Sequence, residues 1–360
     1  MIYNDIRKKK REIYVGGVGI GGRHKIAIQS MTNTDPHDFE ATREQILALQ
    51  GAGCDIVRIT VPDIDAAETV KKLKESDVSI PIVADIHFDH RIALKCAEYG
   101  IDKIRINPGN IGGDENVKAV ADACRQRNIP IRIGVNSGSL EKHLIEKHGG
   151  PTPAALAESA MYHASLLEKF DFYHTVISIK ASSAPDMIAA NRIVSDMCDY
   201  PLHIGVTEAG GAEMGLVKSA VGVGALLCDG IGDTLRISLT TDPCLEIEAA
   251  KKILSAVGIE GQRGLDIVSC PTCGRTKIDL ISLSKRFEEA AKREGLMDIP
   301  IKVALMGCVV NGPGEAREAD IGIAGGKGEA VLISHGEIIE KISEDSIIER
   351  LISEVKKFKK

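Results

Sequence analysis

Residues 55–89, DIVRITVPDIDAAETVKKLKESDVSIPIVADIHFD, contain one complete strand–helix–strand unit and decide the fold. A β-branched run at 55–62 is followed by apolar residues spaced by three and four, and then by a second β-branched run at 81–89. A short β-branched run is typical of a buried strand, and apolar residues spaced by three and four are typical of an amphipathic helix. The same alternation continues on both sides of this stretch.

Eight such strand segments precede residue 245, with helical periodicity between them. They are KIAIQSMTNT (25–34), DIVRITVP (55–62), PIVADIHFD (81–89), DKIRINPGN (102–110), PIRIGVNSGS (130–139), TVISIKASS (175–183), PLHIGVTEAG (201–210) and DTLRISLTTDP (233–243). Eight strand–helix units predict an α/β fold with a closed (β/α)8 TIM-type barrel, in preference to an open doubly wound sheet. The pattern changes near Gly264, so we predict a substrate-binding barrel at 1–262 and a smaller α+β domain at 263–360.

Composition and charge exclude several classes of function. The net charge is -6, Trp is absent and aromatic residues make up 3% of the 360 residues, which argues against a nucleic-acid partner. The longest apolar runs are of strand length, and the amino-terminal segment lacks a signal-like apolar block, so we predict a cytoplasmic protein with no membrane partner. The basic run at 7–11 is expected to form a solvated face.

Nine cysteines without a signal peptide indicate a reducing compartment, and most of them predict buried small side chains. Those expected to be buried are Cys54, Cys96, Cys124, Cys198 and Cys228. The stretch GVGIGG at 17–22 fits a dinucleotide-binding pattern, but a strand rather than a helix follows it. We therefore expect a β-hairpin ahead of the barrel at this point.

Polar side chains alternate with apolar ones in the predicted barrel strands. They are Arg58, Thr60, Arg105, Asn107, Arg132, Asn136, Ser178, Lys180, Arg236 and Ser238. Alternate side chains share one face of a strand and helices cover the outside of a barrel, so we expect these residues to face the lumen. Their four arginines and one lysine exceed the expected inward carboxylates, Asp85 and Glu208. Because guanidinium groups match phosphate oxygens, the excess predicts a phosphate or diphosphate ligand.

Three cysteines lie in turn-rich segments of the second domain. Cys270 and Cys273 lie in SCPTCGR at 269–275, and Cys308 lies in MGCVVNGPGEA at 306–316, which gives the spacing C-x2-C-x34-C. This spacing favours three thiolate ligands of a [4Fe-4S] cluster, although half of a zinc ribbon and a redox dithiol remain alternatives. Glu315 is either a fourth ligand or an ordinary solvent-facing glutamate.

Several blocks resemble the 4-hydroxy-3-methylbut-2-enyl diphosphate synthase family of the methylerythritol phosphate route to isoprenoids. They are QSMTNT (29–34), AGCDIVRITVP (52–62), PIVADIHF (81–88), IRINPGN (104–110), RIGVNSGSL (132–140), SCPTCGR (269–275) and GCVVNGPGEA (307–316). The resemblance runs in order from about residue 16 to residue 325. It implies a barrel followed by an iron–sulfur domain like those of sulfite and nitrite reductases.

The same resemblance implies an oxidoreductase that reductively opens and dehydroxylates 2-C-methyl-D-erythritol 2,4-cyclodiphosphate. The implied substrate-binding residues are Arg58, Arg105, Arg132, Asn136, Lys180, Thr207 and Ser238, and the implied proton-handling residue is Glu208. The implied ligands of the [4Fe-4S] cluster are Cys270, Cys273, Cys308 and Glu315. Two electrons from flavodoxin or ferredoxin and a head-to-tail homodimer are also implied.

An alternative hypothesis needs no cluster. Lys180 ends the sixth predicted strand, where a lysine with a lowered pKa forms a Schiff base in barrel aldolases. The chain would then be a cluster-free or zinc-stabilised lyase or aldolase that acts on a phosphorylated metabolite.

Overall fold

The computed structural model describes residues 6–259, 264–310 and 312–359. The chain forms two compact units, Met1–Ile253 and Leu254–Lys360. The domain boundary predicted after residue 262 lies in the stretch 260–263, outside the described residues, and stays a prediction.

The first unit is a closed barrel of eight parallel strands. Two short strands come first, β1 (Ile13–Val15) and β2 (Val18–Ile20). The barrel strands are β3 (Ala27–Met31), β4 (Ile56–Thr60), β5 (Ile82–Asp85), β6 (Lys103–Ile106), β7 (Ile131–Asn136), β8 (Thr175–Lys180), β9 (Leu202–Ile204) and β10 (Thr234–Leu235). They pair in chain order, and β10 closes the barrel on β3. Each lies within one predicted strand segment, so the predicted TIM-type barrel is confirmed.

Helices follow the barrel strands along the chain. They are α1 (Phe39–Gly51), α2 (Ile64–Lys74), α3 (His90–Glu98), α4 (Asp114–Gln126), α5 (Lys142–His148), α6 (Pro153–Glu168), α7 (Ala184–Met197), α8 (Ala212–Cys228) and α9 (Pro243–Ala256). Asp38, Asp63 and Asp89 cap α1, α2 and α3 by accepting backbone N–H bonds. Such caps fix where each loop after a strand ends, and the loop before α3 carries His87 of the cleft described below.

The amino-terminal hairpin closes the lower end of the barrel. Its strands β1 and β2 pair antiparallel, as the GVGIGG stretch predicts. Ile13, Val15 and Ile20 form one buried cluster with the first inward residues of four barrel strands. Those four residues are Ala27, Ile56, Val83 and Val176. The open end of the lumen is therefore the carboxyl end of the strands.

Two expectations about surface residues are wrong. In the basic run, Arg7 and Lys10 are buried rather than solvated. The Arg7 side chain lies 3.4 Å from the buried carboxylate of Asp233, and Lys10 Nζ donates to two backbone carbonyls at 2.8 Å. A cation whose donors are satisfied in this way can be buried even within a charged run. Cys228, expected to be buried, is exposed at the end of α8.

The second unit is an α+β fold around a five-stranded sheet. The strands are β11 (Asp266–Ser269), β12 (Lys302–Met306), β13 (Ile321–Gly325), β14 (Glu329–Ser334) and β15 (Glu337–Ser343), in that order across the sheet. The helices are α10 (Leu280–Arg293), α11 (Gly312–Ala316) and α12 (Ile347–Lys356). The first three strands run parallel, and β14 and β15 form an antiparallel hairpin.

Packing on the two faces of this sheet differs. Leu283 and Phe287 of α10 and Leu351 of α12 pack in the larger cluster against Val303 and Leu305. A smaller alanine-rich cluster includes Ala316 of α11 and covers the other face. Among the residues that the structure describes, no helix has the length and apolar character needed to cross a membrane.

Candidate functional site

A polar cleft of about 500 Å³, including the open space at its mouth, lies at the carboxyl end of the barrel strands. It is lined by Arg58, Asp85, His87, Arg105, Arg132, Gly134, Asn136, Ser178, Lys180, Thr207, Arg236 and Ser238. All seven residues predicted to bind the substrate are in this set. The structure therefore brings together side chains from β4 to β8 and from the loops after β9 and β10, as inward alternation predicts.

Gly134 and Asn107 hold Arg105 in place. The Arg105 Nη2 donates to the carbonyl of Gly134 at 2.9 Å, while the N–H of Gly134 donates to Asn107 Oδ1 at 2.9 Å. A Cβ atom at position 134 would clash with the Arg105 guanidinium. Glycine is therefore required where β7 passes behind this arginine.

A buried histidine–glutamate pair supports the loop after β6. The N–H of Gly109 donates to His163 Nδ1 at 3.1 Å, and His163 Nε2 lies 2.7 Å from Glu141 Oε1. Ser159 donates to the same carboxylate. The pair links the loops after β6 and β7, which follow Arg105 and Arg132 in the chain.

Asp85 is the carboxylate shared by the groups on one side of the cleft. Its oxygens lie 3.2 Å from Arg105 Nη1, 3.7 Å from Arg58 Nε and 3.6 Å from His87 Nε2. Burial favours the neutral acid, but the charges of Arg58, Arg105 and Arg132 outweigh it and lower the pKa of Asp85. Asp85 is therefore ionised at neutral pH.

Glu246 of α9 is the second buried carboxylate at the cleft. It accepts from Arg236 Nη2 at 3.2 Å, from Ser30 Oγ at 2.9 Å and from the N–H of Leu239 at 3.1 Å. Between the arginines, the sulfur of Met31 accepts from Arg58 Nη2 at 2.8 Å and from Arg236 Nη1 at 3.5 Å. Arg236 is thus paired within the protein.

Arg132 and Lys180 have no carboxylate partner among the described residues. Arg132 is 1% exposed, and its Nε and Nη1 atoms make no hydrogen bond in the described part of the chain. Burial and the neighbouring arginines lower the pKa of Arg132 and of Lys180 well below their usual values. Five cations thus face two carboxylates, and the surplus fits a ligand with several negative charges.

His87 and Glu208 differ in their position relative to the cleft. His87 lines it, with Nε2 2.8 Å from Arg105 Nη1, and burial followed by the charge of Arg105 lowers its pKa. Glu208 is exposed, has a positive φ of 52°, and does not line the cleft, although Thr207 beside it does.

The three predicted thiol ligands lie at one edge of the second unit's sheet. Cys270 directly follows β11 and Cys308 follows β12, and these two strands are parallel neighbours. The N–H of Gly307 donates to the Cys270 sulfur at 3.4 Å, and Cys273 is exposed in the next turn. Glu315 is exposed on the short helix α11.

These residues fit an iron–sulfur cluster in donor type and placement. The donors are three cysteine thiols, and a backbone N–H directed at a cysteine sulfur, as from Gly307 to Cys270, is the kind of contact that supports a thiolate ligand. Within residues 6–259, 264–310 and 312–359, no three His, Cys, Asp or Glu side chains are arranged to hold a single metal ion.

Comparison with protein families identifies the chain. Residues 10–251 match the model described as the GcpE TIM-barrel domain, and residues 266–357 match that of the GcpE protein C-terminal domain. The chain belongs to the GcpE family. Both units described above thus correspond to the two domains of the GcpE family.

Curated GcpE relatives are similar over nearly their whole length. A protein of Fusobacterium nucleatum is 56% identical over 96% of each chain, and one of Caldanaerobacter subterraneus is 54% identical over 99% of each. Both are named 4-hydroxy-3-methylbut-2-en-1-yl diphosphate synthase (flavodoxin).

A solved structure of 3-dehydroquinate dehydratase from Geobacillus kaustophilus is similar with a TM-score of 0.51 and 16% identity. The match covers 69% of this chain and 97% of that one. It shows the barrel fold alone.

Sequence reasoning missed three residues of the site. His87 lies two residues beyond Asp85, so extending the period-two pattern past β5 would have found it. Glu246 lies on a helix whose periodicity does not reveal that one carboxylate turns toward the barrel. Met31 reads as an ordinary apolar residue, and nothing in the sequence marks its sulfur as an acceptor.

Proposed function

We propose that this protein catalyses the reductive ring opening and dehydroxylation of 2-C-methyl-D-erythritol 2,4-cyclodiphosphate to 4-hydroxy-3-methylbut-2-enyl diphosphate. The observation that carries the proposal is the cleft, in which five cations face two carboxylates. The names of the GcpE relatives support the same reaction. A ring C–O bond and a C–OH bond break, two electrons form the new double bond, and one proton converts the leaving hydroxyl to water.

In this proposal the cleft holds the diphosphate throughout turnover. Arg132 and Lys180 make no ion pair within the described chain, so they are the strongest candidates for phosphate contacts. Arg58 and Arg105 share Asp85 and can each direct further N–H groups to the ligand. Asn136, Thr207 and Ser238 supply neutral hydrogen-bonding groups for the sugar-derived hydroxyls.

A [4Fe-4S] cluster would be held by Cys270, Cys273 and Cys308, with Glu315 as the fourth ligand. When bound, the cluster would supply electrons one at a time. The backbone N–H of Gly307 would then donate to a cysteine sulfur that carries negative charge, which stabilises the thiolate form. Glu315 is exposed on α11 and would supply a carboxylate donor beside the three thiolates.

The sequence and the relatives' names are the basis for four further proposals: the proton-handling residue, the electron donor, the oligomeric state and the location. Glu208 is the proposed proton-handling residue, supported by its place beside Thr207 of the cleft. Flavodoxin is the proposed electron donor, as in the names of the relatives, and ferredoxin is the alternative. The head-to-tail homodimer and the cytoplasmic location stay predictions.

The experiment that tests the function is an anaerobic purification with iron and sulfide analysis. Electron paramagnetic resonance of the reduced protein is recorded before and after the cyclodiphosphate is added. We expect about four irons per chain and a spectrum that changes with substrate. A colourless protein with zinc and no labile sulfide would contradict the proposal and favour the Lys180 lyase.

A further inference from the structure

A groove of about 730 Å³ lies directly beside Cys270 in the second unit. One wall is the segment after β11, which contains Cys270, and the other is one side of α10, with Ile281, Lys285 and Glu288. The segment after β12 is joined to the same region, because the N–H of Lys277 donates to the carbonyl of Gly307 at 2.9 Å. The groove therefore adjoins the proposed cluster ligands.

Four exposed cations lie on a wall of this groove or close to its walls in the chain, and have no carboxylate partner among the described residues; one of them, Lys285, lines the groove. They are Arg275, Lys277, Lys285 and Arg286, and none forms an ion pair within the described residues. Elsewhere in the same unit some exposed cations are paired, as in Arg350 with Glu340 at 2.6 Å and Lys341 with Glu329 at 3.4 Å, while others, such as Arg293, form no ion pair within the described residues. We call this surface the basic groove.

The local charge is opposite to that of the whole chain. Residues 275–293 contain six Lys or Arg and three Asp or Glu, whereas the chain carries a net charge of -6. Of the three carboxylates, Glu288 is paired with Lys292 and Asp279 caps α10. The positive potential at the basic groove is therefore left for a partner to neutralise.

Large apolar side chains are exposed in the groove and in the segment that follows Cys308. Ile281 of the groove is 72% exposed, and Val309 and Val310, which follow Cys308, are 59% and 63% exposed. Gly307 approaches Thr276 and Leu280 closely, which brings the end of β12 against the start of α10. An apolar centre with a charged rim is the usual composition of a protein–protein contact.

We propose that the basic groove docks an acidic electron-carrier protein of the flavodoxin class next to Cys270. This inference rests on the proposed function and names the surface on which its reductant binds. Each turnover needs two electrons, so a carrier that gives one electron per encounter binds twice and leaves twice, and is oxidised by one electron each time. Charge steering around a small apolar contact gives the fast association and fast release that such a cycle requires.

The test compares two reductants with the full-length, cluster-loaded protein. One is a recombinant flavodoxin kept reduced by its reductase, and the other is dithionite-reduced methyl viologen, a small molecule that needs no docking surface. We expect Lys285→Glu together with Arg275→Glu to raise the KM for flavodoxin about tenfold or more at low salt and to leave viologen-driven turnover within about twofold.

Two further variants control for nonspecific charge effects. Glu288→Lys adds a positive charge to the basic groove and should lower the KM for flavodoxin. Arg293→Glu changes an exposed cation of the same helix about 12 Å further along its axis, and should have little effect on either donor. Titration of flavodoxin into each variant without substrate gives an affinity that does not depend on turnover.

The outcomes separate the two proposals. Equal losses with both reductants, or an unchanged flavodoxin affinity in the double variant, would overturn the docking surface. If the unmodified protein turns over the cyclodiphosphate with neither reductant, the proposed function itself fails.

Discussion

At the scale of single residues, the buried guanidinium of Arg132 lowers the stability of the barrel and is available to bind the ligand. Its guanidinium is almost fully buried with two nitrogens that have no partner in the described chain. We expect Arg132→Met to weaken binding of the cyclodiphosphate by about 100-fold or more, because a buried charge contact is lost. The free energy of unfolding should stay equal or rise, because the desolvated cation is gone.

Isothermal titration and urea denaturation measure these two effects. Arg43→Met is a suitable control, because Arg43 pairs with Asp77 on the surface and should change neither quantity much. A large loss of stability in Arg132→Met would contradict this account of the cleft.

His203 gives the barrel a dependence on pH. It is fully buried, and Nδ1 lies 2.8 Å from Thr234 Oγ1. Burial and the charges of Arg132 and Lys180 hold the pKa of His203 well below its usual value. The unfolded chain binds a proton as the pH falls below about 6.5 and the folded chain does not, so stability declines on acidification by up to about 1.4 kcal/mol per pH unit.

Urea denaturation between pH 7.5 and 5 tests this contribution. We expect His203→Gln to remove part of the decline, with the difference from the unmodified protein confined to pH values below about 6.5. His143, which is exposed, serves as the matched control through His143→Gln. The same slope in both variants would argue against His203 as its source.

At the scale of elements, the hairpin of β1 and β2 stabilises the barrel from the end opposite the cleft. Ile20 is fully buried in the cluster with Ala27, Ile56 and Val83. We expect Ile20→Ala to lower the free energy of unfolding by about 2–5 kcal/mol, because it leaves a cavity under the barrel. The KM for substrate should change little, since no cleft residue belongs to this cluster.

Denaturation curves and steady-state kinetics of the same preparation separate these effects. Tyr14→Ala, in the same hairpin but 56% exposed, should be nearly neutral for both. A rise in KM for Ile20→Ala similar to that for a cleft variant would show that the two ends of the barrel are coupled.

The positions of the strands can be predicted from the sequence, but several contacts between elements cannot. The eight strands and their inward residues follow from alternation, because a strand places every second side chain on one face. The pairing of Arg236 with Glu246 does not follow, since it joins a strand end to a helix whose rotation about its axis depends on tertiary packing. For the same reason, the burial of Arg7 could not be predicted, because Asp233 lies 226 positions away in the chain.

At the scale of the whole molecule, the proposed head-to-tail homodimer predicts complementation. In a mixture of the Arg132→Met and Cys308→Ser chains, some dimers contain one chain of each kind. Such a mixed dimer has one intact barrel cleft and one intact set of thiols, on different subunits. If each site forms between subunits, random exchange should restore about a quarter of the unmodified activity. If each site forms within one chain, no activity returns.

The measurement is turnover with reduced methyl viologen after the two chains have been unfolded together, refolded and reconstituted. Refolding each variant separately gives the baseline. Mass photometry of the mixture checks that dimers are present, so that a missing signal is not mistaken for an intrachain site.

The sulfur of Met31 also makes the cleft vulnerable to oxidants. Conversion to the sulfoxide would place a strong oxygen acceptor between Arg58 and Arg236, the groups that the thioether now holds only weakly. The sulfoxide oxygen would compete with the ligand for the N–H groups of these arginines. Peroxide would therefore lower the affinity of the cleft for anions, in addition to oxidising the thiols of the second unit. Met31→Leu should retain more affinity for the cyclodiphosphate than the unmodified protein after mild peroxide treatment, which makes this methionine a weak point of the barrel under aeration.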